Sequence, residues 1–204
     1  MKKFVVGILS LMFVAMLNAC SSSDNENNGH KYVDLGLPSG VKWATCNIGA
    51  NSPEEYGDFY AWGEVVTKAE YTPRNSVTFK RMTHGDVSGK AQEDAATANW
   101  GGAWRMPKVS EVHELINQCR WTLTELKGVK GYEVVGPNGN SIFLPAAGSS
   151  LNIPGEGGYY WSSTPDDSDI DHSYNLYYDT EGLVGVFYYD RFYGQSIRPV
   201  IVIE

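Results

Sequence analysis

The spacing of apolar residues predicts two helices. In the stronger segment, apolar residues recur at positions i, i+3, i+4 and i+7 and share one helix face that packs on a core: Val112, Leu115, Ile116 and Cys119. Pro107 precedes this segment, and Glu111 lies where a carboxylate favours a helix N-terminus. Lys108 stands where Ser or Thr would complete a capping box with Glu111, so we expect a weakly capped start. The second predicted helix covers residues 91–100, which are rich in Ala.

Turn residues between two apolar runs predict a β-hairpin. Residues 132–135 and 141–144 are rich in apolar, mostly β-branched or aromatic side chains, and they flank the turn-forming segment 136–140. Asn138 and Gly139 in this segment form a dipeptide that tolerates positive φ, which is typical of a hairpin turn. We therefore expect two antiparallel strands joined by this turn.

A second hairpin and a last strand are predicted further along the chain. Residues 175–178 and 183–189 are the two strands of this hairpin, and residues 179–182 form its turn. Residues 197–203 are a final apolar segment, in which Pro199 suits an edge position or the start of a strand. Two helices followed by mostly antiparallel strands indicate an α+β domain.

The composition supports one folded domain and excludes several classes of protein. The chain has 204 residues, of which 42% are hydrophobic and 20% charged, so it can bury a substantial core and is not wholly disordered. Residues 31–204 contain no linker-like stretch and no internal repeat, which predicts a single domain over that range. The net charge of −8 argues against a nucleic-acid-binding protein, because such a protein needs a basic surface.

The first twenty residues have the pattern of an export signal. A basic start precedes an apolar run over residues 4–16, which is shorter than the roughly 20 residues that cross a bilayer core of about 30 Å. Residues 17–20, Leu-Asn-Ala-Cys, resemble the lipobox of bacterial lipoproteins, in which the cysteine becomes the lipidated first residue. We predict a lipoprotein signal peptide over residues 1–19 and lipidation of Cys20. The alternative is ordinary signal-peptidase cleavage beside a coincidental cysteine.

A polar segment is predicted to connect the lipid anchor to the domain. Residues 20–30 are the expected lipidated cysteine and flexible tether, since residues 21–29 carry no large apolar side chain. Asp24 and Glu26 resemble the acidic surface-export signal of Bacteroidetes lipoproteins. The expected location is therefore the outer membrane at the cell surface, with the lipid anchor as the only contact with the membrane.

The two remaining cysteines, Cys46 and Cys119, are predicted to form a disulfide. Thiols tend to oxidise outside the inner membrane, and an even number of cysteines suits one bond. Closing so long a loop would stabilise the fold by roughly 4 kcal/mol. The alternative is two buried free thiols, because unpaired Cys is among the most buried residue types.

Five short segments together resemble a known family. They are YVDLGLPSG (32–40), WATCNIGA (43–50), WRMP (104–107), YWSS (160–163) and IRPV (197–200). In this order they resemble the Fibrobacter major paralogous domain family, which is abundant among Bacteroidetes surface lipoproteins. The resemblance implies a C-type-lectin-like fold, in which the terminal segments pair as strands, two helices flank them and a long loop region carries binding. It implies no defined biochemical activity.

An acidic segment is the candidate metal site. Asp166, Asp167 and Asp169 belong to a run of four carboxylates within six residues, and hard oxygen ligands suit Ca²⁺. The Asp-x-Asp-x-Asp spacing resembles the start of an EF-hand loop, but His172 and Tyr178 occupy the positions where that loop needs Gly and Glu. We predict no required cofactor. Calcium is the candidate ligand of these aspartates. The alternative, which we favour, is an exposed acidic loop that binds no metal.

The candidate ligand-binding residues lie in an aromatic region late in the chain. Eight of the 13 tyrosines fall between positions 159 and 193. Exposed aromatic rings stack on sugar faces, and Tyr is common in recognition surfaces. The alternative is that these rings fill the core, since Tyr is also a good strand residue and alternate strand residues face inward. The candidates are Trp161, Tyr188, Arg191, Phe192 and Tyr193.

The sequence lacks the motifs of common enzyme classes. No cysteine follows Cys119, which excludes the oxidase chemistry of the formylglycine-generating enzymes that share the implied fold. The four histidines show no metal-ligand spacing. We therefore predict a non-enzymatic surface lipoprotein that binds a glycan or a protein. The alternative is a structural or accessory subunit of a cell-surface assembly such as a fimbria.

Overall fold

A computed structural model describes residues 25–80 and 85–203. The predicted signal peptide, the lipidation of Cys20 and residues 20–24 of the predicted tether lie outside the described residues. Within the described ranges the chain forms ten strands and two helices: β1 Glu26–Asn27, β2 His30–Asp34, β3 Lys42–Ala44, α1 Ala95–Trp100, α2 Val109–Gln118, β4 Arg120–Leu126, β5 Val129–Val135, β6 Ser141–Pro145, β7 Gly157–Pro165, β8 His172–Asp179, β9 Val184–Asp190 and β10 Val200–Ile201. No helix in the described part of the chain is long and apolar enough to cross a membrane.

The strands form three antiparallel sheets, which together with the two helices confirm the α+β class. One sheet has the order β1-β2-β3-β10, the second β4-β5-β6 and the third β7-β8-β9. In the first sheet Val33 pairs with Trp43, and Trp43 in turn pairs with Val200. Strands from both ends of the described chain therefore share one sheet, although β10 pairs with β3 and not with β2. Both predicted hairpins are confirmed as β5-β6 and β8-β9.

The predicted flexible tether is ordered over its last residues. Strand β1 pairs with the start of β2 across a turn at Asn28 and Gly29, both of which have positive φ. The indole N–H of Trp104 donates to the carbonyl of Asn27 at 3.0 Å, and the His30 ring stacks on Trp100 with centroids 3.7 Å apart. The polar composition suggested flexibility, but the Asn-Gly pair turns the chain back onto the sheet. Residues 26–30 of the predicted tether are therefore part of the described fold.

The helix predicted from the apolar spacing is confirmed as α2. Val112 and Leu115 are buried on the face that packs against the third sheet. Its start is better held than the sequence indicated, because the Glu111 carboxylate accepts the backbone N–H of Lys108 at 2.8 Å. The Glu111 carboxylate also forms two hydrogen bonds with the Arg105 guanidinium, at 2.8 and 2.6 Å.

Helix α1 is shorter than the predicted segment 91–100. It begins at Ala95 because the side chain of Asp94 accepts hydrogen bonds from the backbone N–H groups of Ala96 and Thr97. Asp is a strong N-cap residue, and its side chain ends the non-helical segment at this point. The Ala-rich composition indicated the helix, and the cap sets its first residue.

Two clusters of buried side chains form the core. The first lies between α2 and the sheets and includes Trp43, Leu115, Val134 and Tyr178. The second is dominated by tryptophans and packs beneath α1 and the long loops: Trp62, Trp100, Trp104 and Trp161. The indole rings thus supply much of the apolar volume beneath loops that lack regular structure.

A buried guanidinium connects segments that are far apart in the chain. Arg198 is 1% exposed, and its Nε donates to Asn47 Oδ1 at 2.8 Å. Its Nη1 donates to the carbonyls of Ala44, Thr45 and Phe143 at 3.2, 3.1 and 3.0 Å. Arg198 therefore joins the end of β3 to β6 through backbone oxygens.

The predicted disulfide between Cys46 and Cys119 is wrong, because both are free thiols. Cys119 ends α2 and packs against the first core cluster, where burial raises the pKa of its thiol to about 11. Cys46 lies after β3 beside the Thr45 hydroxyl, 3.5 Å from it. The two side chains contact different parts of the fold. The alternative of two free thiols therefore holds, although both are half-buried and not fully buried as that alternative expected.

Candidate functional site

A long loop without regular structure is held in place by its own side chains. The Glu64 carboxylate accepts the backbone N–H of Val77 at 2.9 Å, which joins the two ends of residues 64–77. The Thr78 hydroxyl donates to the carbonyl of Trp62 at 2.6 Å. Because these bonds fix the backbone in advance, the loop presents its remaining side chains in defined positions.

Asn75 organises the tip of this loop. Its Oδ1 accepts the N–H of Thr72 at 3.1 Å, and its Nδ2 donates to the carbonyl of Glu70 at 2.8 Å. The Lys68 ammonium donates to the carbonyl of Asn75 at 2.7 Å. These bonds close residues 68–75 into a compact turn.

The loop is joined to the segment that follows β9 by aromatic contacts. The Phe79 ring meets the Phe192 ring edge to face, with centroids 5.0 Å apart. The Tyr71 ring lies so close to Gly194 that a Cβ added there would come within 2.8 Å of it. Phe192 in turn contacts Tyr193, with centroids 4.2 Å apart. We call the residues 70–80 and 190–194 together the loop surface.

The segment between β7 and β8 completes the loop surface from a third side. The carboxylate of Asp171 accepts the backbone N–H of Lys80 at 3.0 Å, and the carbonyl of Asp171 accepts the N–H of Arg191 at 2.9 Å. The carbonyl of Arg191 accepts the N–H of Trp62 at 2.9 Å. Three segments that are distant in the sequence therefore meet at one place.

A cavity opens on the loop surface. Its volume is about 680 Å³, within the range of small-molecule sites. Residues 70–80 supply the side chains that line it: Glu70, Thr72, Pro73, Arg74, Phe79 and Lys80. None of these residues was predicted from the sequence, because the segment has neither hydrophobic periodicity nor a motif.

Phe192, Tyr193 and Tyr188 occupy positions that suit a binding role. Phe192 and Tyr193 are half-buried on the loop surface, and Tyr188 is 59% exposed on β9. The Tyr188 ring lies 5.3 Å from the ring of His172, which follows the acidic segment. His172 is in contact with Asp169 on one side, at 2.9 Å, and with Asp190 on the other, at 3.4 Å. Burial raises the pKa of Asp190, although the nearby imidazole opposes that rise.

Trp161 is wrong as a ligand-contacting residue. Its side chain is 0% exposed and belongs to the second core cluster. The indole N–H donates to the carbonyl of Tyr60 at 2.9 Å, so the polar group of this side chain has its hydrogen-bond partner inside the protein. Its neighbours on β7 are buried on both faces of the strand, and no side of Trp161 reaches solvent.

Arg191 is also wrong as a direct ligand contact. It is 0% exposed, its guanidinium lies 4.5 Å from the centroid of the Trp62 ring, and its Nε donates to the hydroxyl of Ser173 at 2.9 Å. Both Nη atoms are buried without a hydrogen-bond partner. Arg191 is therefore a buried member of the loop surface, and its side chain supports the backbone that carries Phe192.

The three aspartates predicted as metal ligands are not gathered into a metal site. Asp166 Oδ1 accepts the backbone N–H and the hydroxyl of Ser168, at 2.9 and 2.7 Å, and Asp169 Oδ1 accepts the N–H of Asp171 at 2.9 Å. These bonds use the carboxylates within their own turn, while Asp167 is exposed. Over residues 25–80 and 85–203 no three His, Cys, Asp or Glu side chains are placed to hold a metal ion.

Comparison of the chain with known protein-family models, with curated proteins and with solved structures finds no match. The resemblance to the Fibrobacter major paralogous domain family and the C-type-lectin-like fold that it implies stay predictions. The function of the chain has to be inferred from the geometry of the loop surface.

Proposed function

We propose that this chain is a non-enzymatic surface protein that binds a glycan or a protein ligand on its loop surface. The observation that carries the proposal is the meeting of Phe79, Phe192 and Tyr193 beside a cavity of about 680 Å³. Aromatic rings of this kind stack on sugar faces and supply contact area at low entropic cost. The hydrogen bonds inside the loops reduce the ordering cost of binding.

The domain is proposed to be C-type-lectin-like. Three features support this proposal. Strands from both ends of the described chain share a sheet, and a long irregular region runs between β3 and α1. Helix α2 packs against the third sheet, while α1 packs on the second core cluster. In the implied fold the long loop region carries ligand binding. The loop surface lies within that region and the segments packed against it.

The protein is proposed to be a lipoprotein of the outer membrane, facing the cell surface. The lipobox-like residues 17–20 and the acidic Asp24 and Glu26 support this location. The membrane contact would then be the lipid on Cys20, and the loop surface would be free to meet a glycan or protein partner outside the cell. The net charge of −8 supports a partner other than nucleic acid.

A glycan array with the purified protein tests the proposal. We expect binding to a defined set of glycans, and we expect Phe192→Ala to remove it. Phe187→Ala is the matched control, because Phe187 is a partly exposed Phe on β9 outside the loop surface. Repeating the array with a chelator tests the calcium alternative: the bonds within the acidic segment predict unchanged binding.

The alternative function, an accessory subunit of a surface assembly, is favoured by one observation. Strand β9 pairs only with β8 in the described part of the chain, and it exposes Phe187 and Tyr188. An edge strand without Pro or Lys can pair with a strand of another chain. A blank array from folded protein, together with co-purification in a stoichiometric complex, would contradict glycan binding and support this alternative.

A further inference from the structure

We propose that the cavity of the loop surface takes a carboxylate-bearing sugar, such as a uronic acid residue within an oligosaccharide. The inference rests on the proposed function and specifies the chemical class of its ligand. Arg74 and Lys80 would hold the carboxylate, and Phe79 would pack against the apolar face of the sugar ring.

The charge of the cavity differs from that of the whole protein. The chain carries a net charge of −8, yet among the described residues that line the cavity Arg74 and Lys80 are basic and Glu70 alone is acidic. Among the described residues no carboxylate forms a salt bridge with Arg74 or Lys80. Several basic side chains elsewhere in the fold do have such partners, namely Lys42 with Asp34, Lys68 with Glu64, and Arg105 with Glu111. The buried Arg191 and Arg198 bond instead to neutral oxygen atoms.

The backbone conformation of Lys80, at the cavity, is unusual. Lys80 has φ of 57°, a left-handed conformation that non-glycine residues seldom adopt. The Asp171 carboxylate holds the Lys80 backbone N–H at 3.0 Å and thereby maintains this conformation. Unusual backbone conformations that the surrounding structure maintains cluster at functional sites.

The cavity offers both kinds of contact that an acidic sugar needs. The Lys80 ammonium lies over the Phe79 ring, 5.4 Å from its centroid, so a cation and an aromatic ring contact each other at the cavity. Arg can bind a carboxylate through two parallel hydrogen bonds, whereas Lys acts as a compact point charge. Glu70 and Thr72 also line the cavity and would provide oxygen atoms for sugar hydroxyl groups. A carboxylate beside a ring with hydroxyl groups matches this combination.

The test compares an oligogalacturonate tetramer with its carboxyl-reduced, neutral form by isothermal titration calorimetry on the purified protein. We expect the acidic tetramer to bind at least tenfold more tightly, and we expect added salt to weaken that binding. Arg74→Gln and Lys80→Gln should each lower affinity for the acidic tetramer by about 10- to 100-fold, the effect of losing a charged hydrogen-bond donor. The neutral tetramer should lose little.

Lys130→Gln is the matched control, because Lys130 is exposed on β5 and lies outside the cavity. Arg74 and Lys80 are also exposed, so we expect all three variants to melt at the same temperature as the parent protein. Equal affinity for the two tetramers would overturn the inference and leave the proposed glycan binding intact. Binding of a poly-glutamate peptide as tight as that of the acidic tetramer would overturn the sugar class. Failure of every glycan on the array would overturn both proposals.

Discussion

At the scale of single residues, Asp94 accepts four backbone hydrogen bonds while it is completely buried. The donors are the N–H groups of Ala96 and Thr97 in α1, Gly89 in the preceding loop and Met106 beyond the helix. One carboxylate therefore caps α1 and joins it to two other segments. Its removal would leave several buried donors without partners.

We expect Asp94→Ala to lower the free energy of unfolding by about 3 kcal/mol, from the lost helix cap and the unsatisfied donors. Urea denaturation followed by tryptophan fluorescence measures this change. Gln92→Ala is the control, since Gln92 is exposed two residues away and should shift the midpoint little. Equal midpoints for the two variants would show that the Asp94 bonds do not contribute to stability.

The same side chain gives a prediction about pH. Burial raises the pKa of Asp94 above its ordinary value, even though hydrogen bonds from the backbone N–H groups of Gly89, Met106 and Thr97 oppose that rise. The folded protein therefore binds the proton of the Asp94 carboxyl more tightly than the unfolded chain does. The contribution of this protonation to the free energy of unfolding is complete below the ordinary pKa of Asp. It is lost as the pH rises through the pKa of Asp94 in the folded protein. Relative to Asp94→Asn, the parent protein should lose stability across that window, as measured by urea denaturation at a series of pH values. If the parent protein instead gained stability relative to Asp94→Asn as the pH rises, the raised pKa of Asp94 would be contradicted.

Trp161 and Phe192 are both aromatic candidates from the sequence, and the structure assigns them different roles. Trp161→Ala should lower the free energy of unfolding by about 3–5 kcal/mol, because it empties a fully buried site. Phe192→Ala should cost much less, because its ring is half-buried on the loop surface. Thermal melting of the two variants distinguishes these roles. Similar melting temperatures would mean that Trp161 does not belong to the core.

Because Cys46 and Cys119 are free thiols, we expect a reductant to leave the stability of the protein unchanged. The melting temperature should be the same with and without dithiothreitol, because no disulfide joins Cys46 to Cys119. Cys119 should also react slowly with iodoacetamide at pH 8, since burial raises the pKa of its thiol to about 11 and the thiolate is the reactive form. Mass spectrometry of the alkylated peptides measures the rate. A melting temperature that falls with reductant would restore the disulfide hypothesis.

At the scale of elements, the irregular loop depends on individual side-chain bonds. We expect Asn75→Ala to increase hydrogen exchange over residues 68–80, because it removes the bonds to Thr72 and Glu70. Since this loop tip lies outside both core clusters, the melting temperature should change little, while ligand affinity should fall. Asn99→Ala is a control, because Asn99 bonds to α1 and to the carbonyl of Val65, away from the loop tip. Unchanged exchange in the Asn75 variant would contradict the role given to this side chain.

The elements that could be predicted from sequence are those with a local signal. The Asn-Gly turn indicated β5-β6, and the apolar spacing indicated α2, because both patterns express contacts close in the chain. The loop over residues 64–80 has no such signal. Its order comes from single side-chain bonds of Glu64, Asn75 and Thr78, which neither an apolar spacing nor a turn motif indicates. The aromatic candidates had the right composition, but composition alone does not distinguish the buried Trp161 from Phe192 at the surface.

At the scale of the whole molecule, the fold class could be predicted from the sequence, but the strand order of the sheet that contains β2, β3 and β10 could not. The α+β class followed from the order of helices and strands. The pairing partner of β10 did not, because apolar terminal segments can pair in more than one order. The placement of the loop surface likewise depends on three segments that only the folded chain brings together.

The buried guanidinium near the end of the chain has a consequence for how the protein reaches its native state. The bond from Arg198 to Asn47 joins residues 151 positions apart, and Arg198 also donates to one carbonyl of β3 and one of β6. Such a high contact order slows folding, because the chain loses loop entropy before these contacts form. The sheet with β3 and β10 therefore cannot close while the chain is still growing on the ribosome and residue 198 has yet to emerge. The tryptophan cluster also contains Ile197 and Ile201, so its packing is completed only when these two residues have joined it.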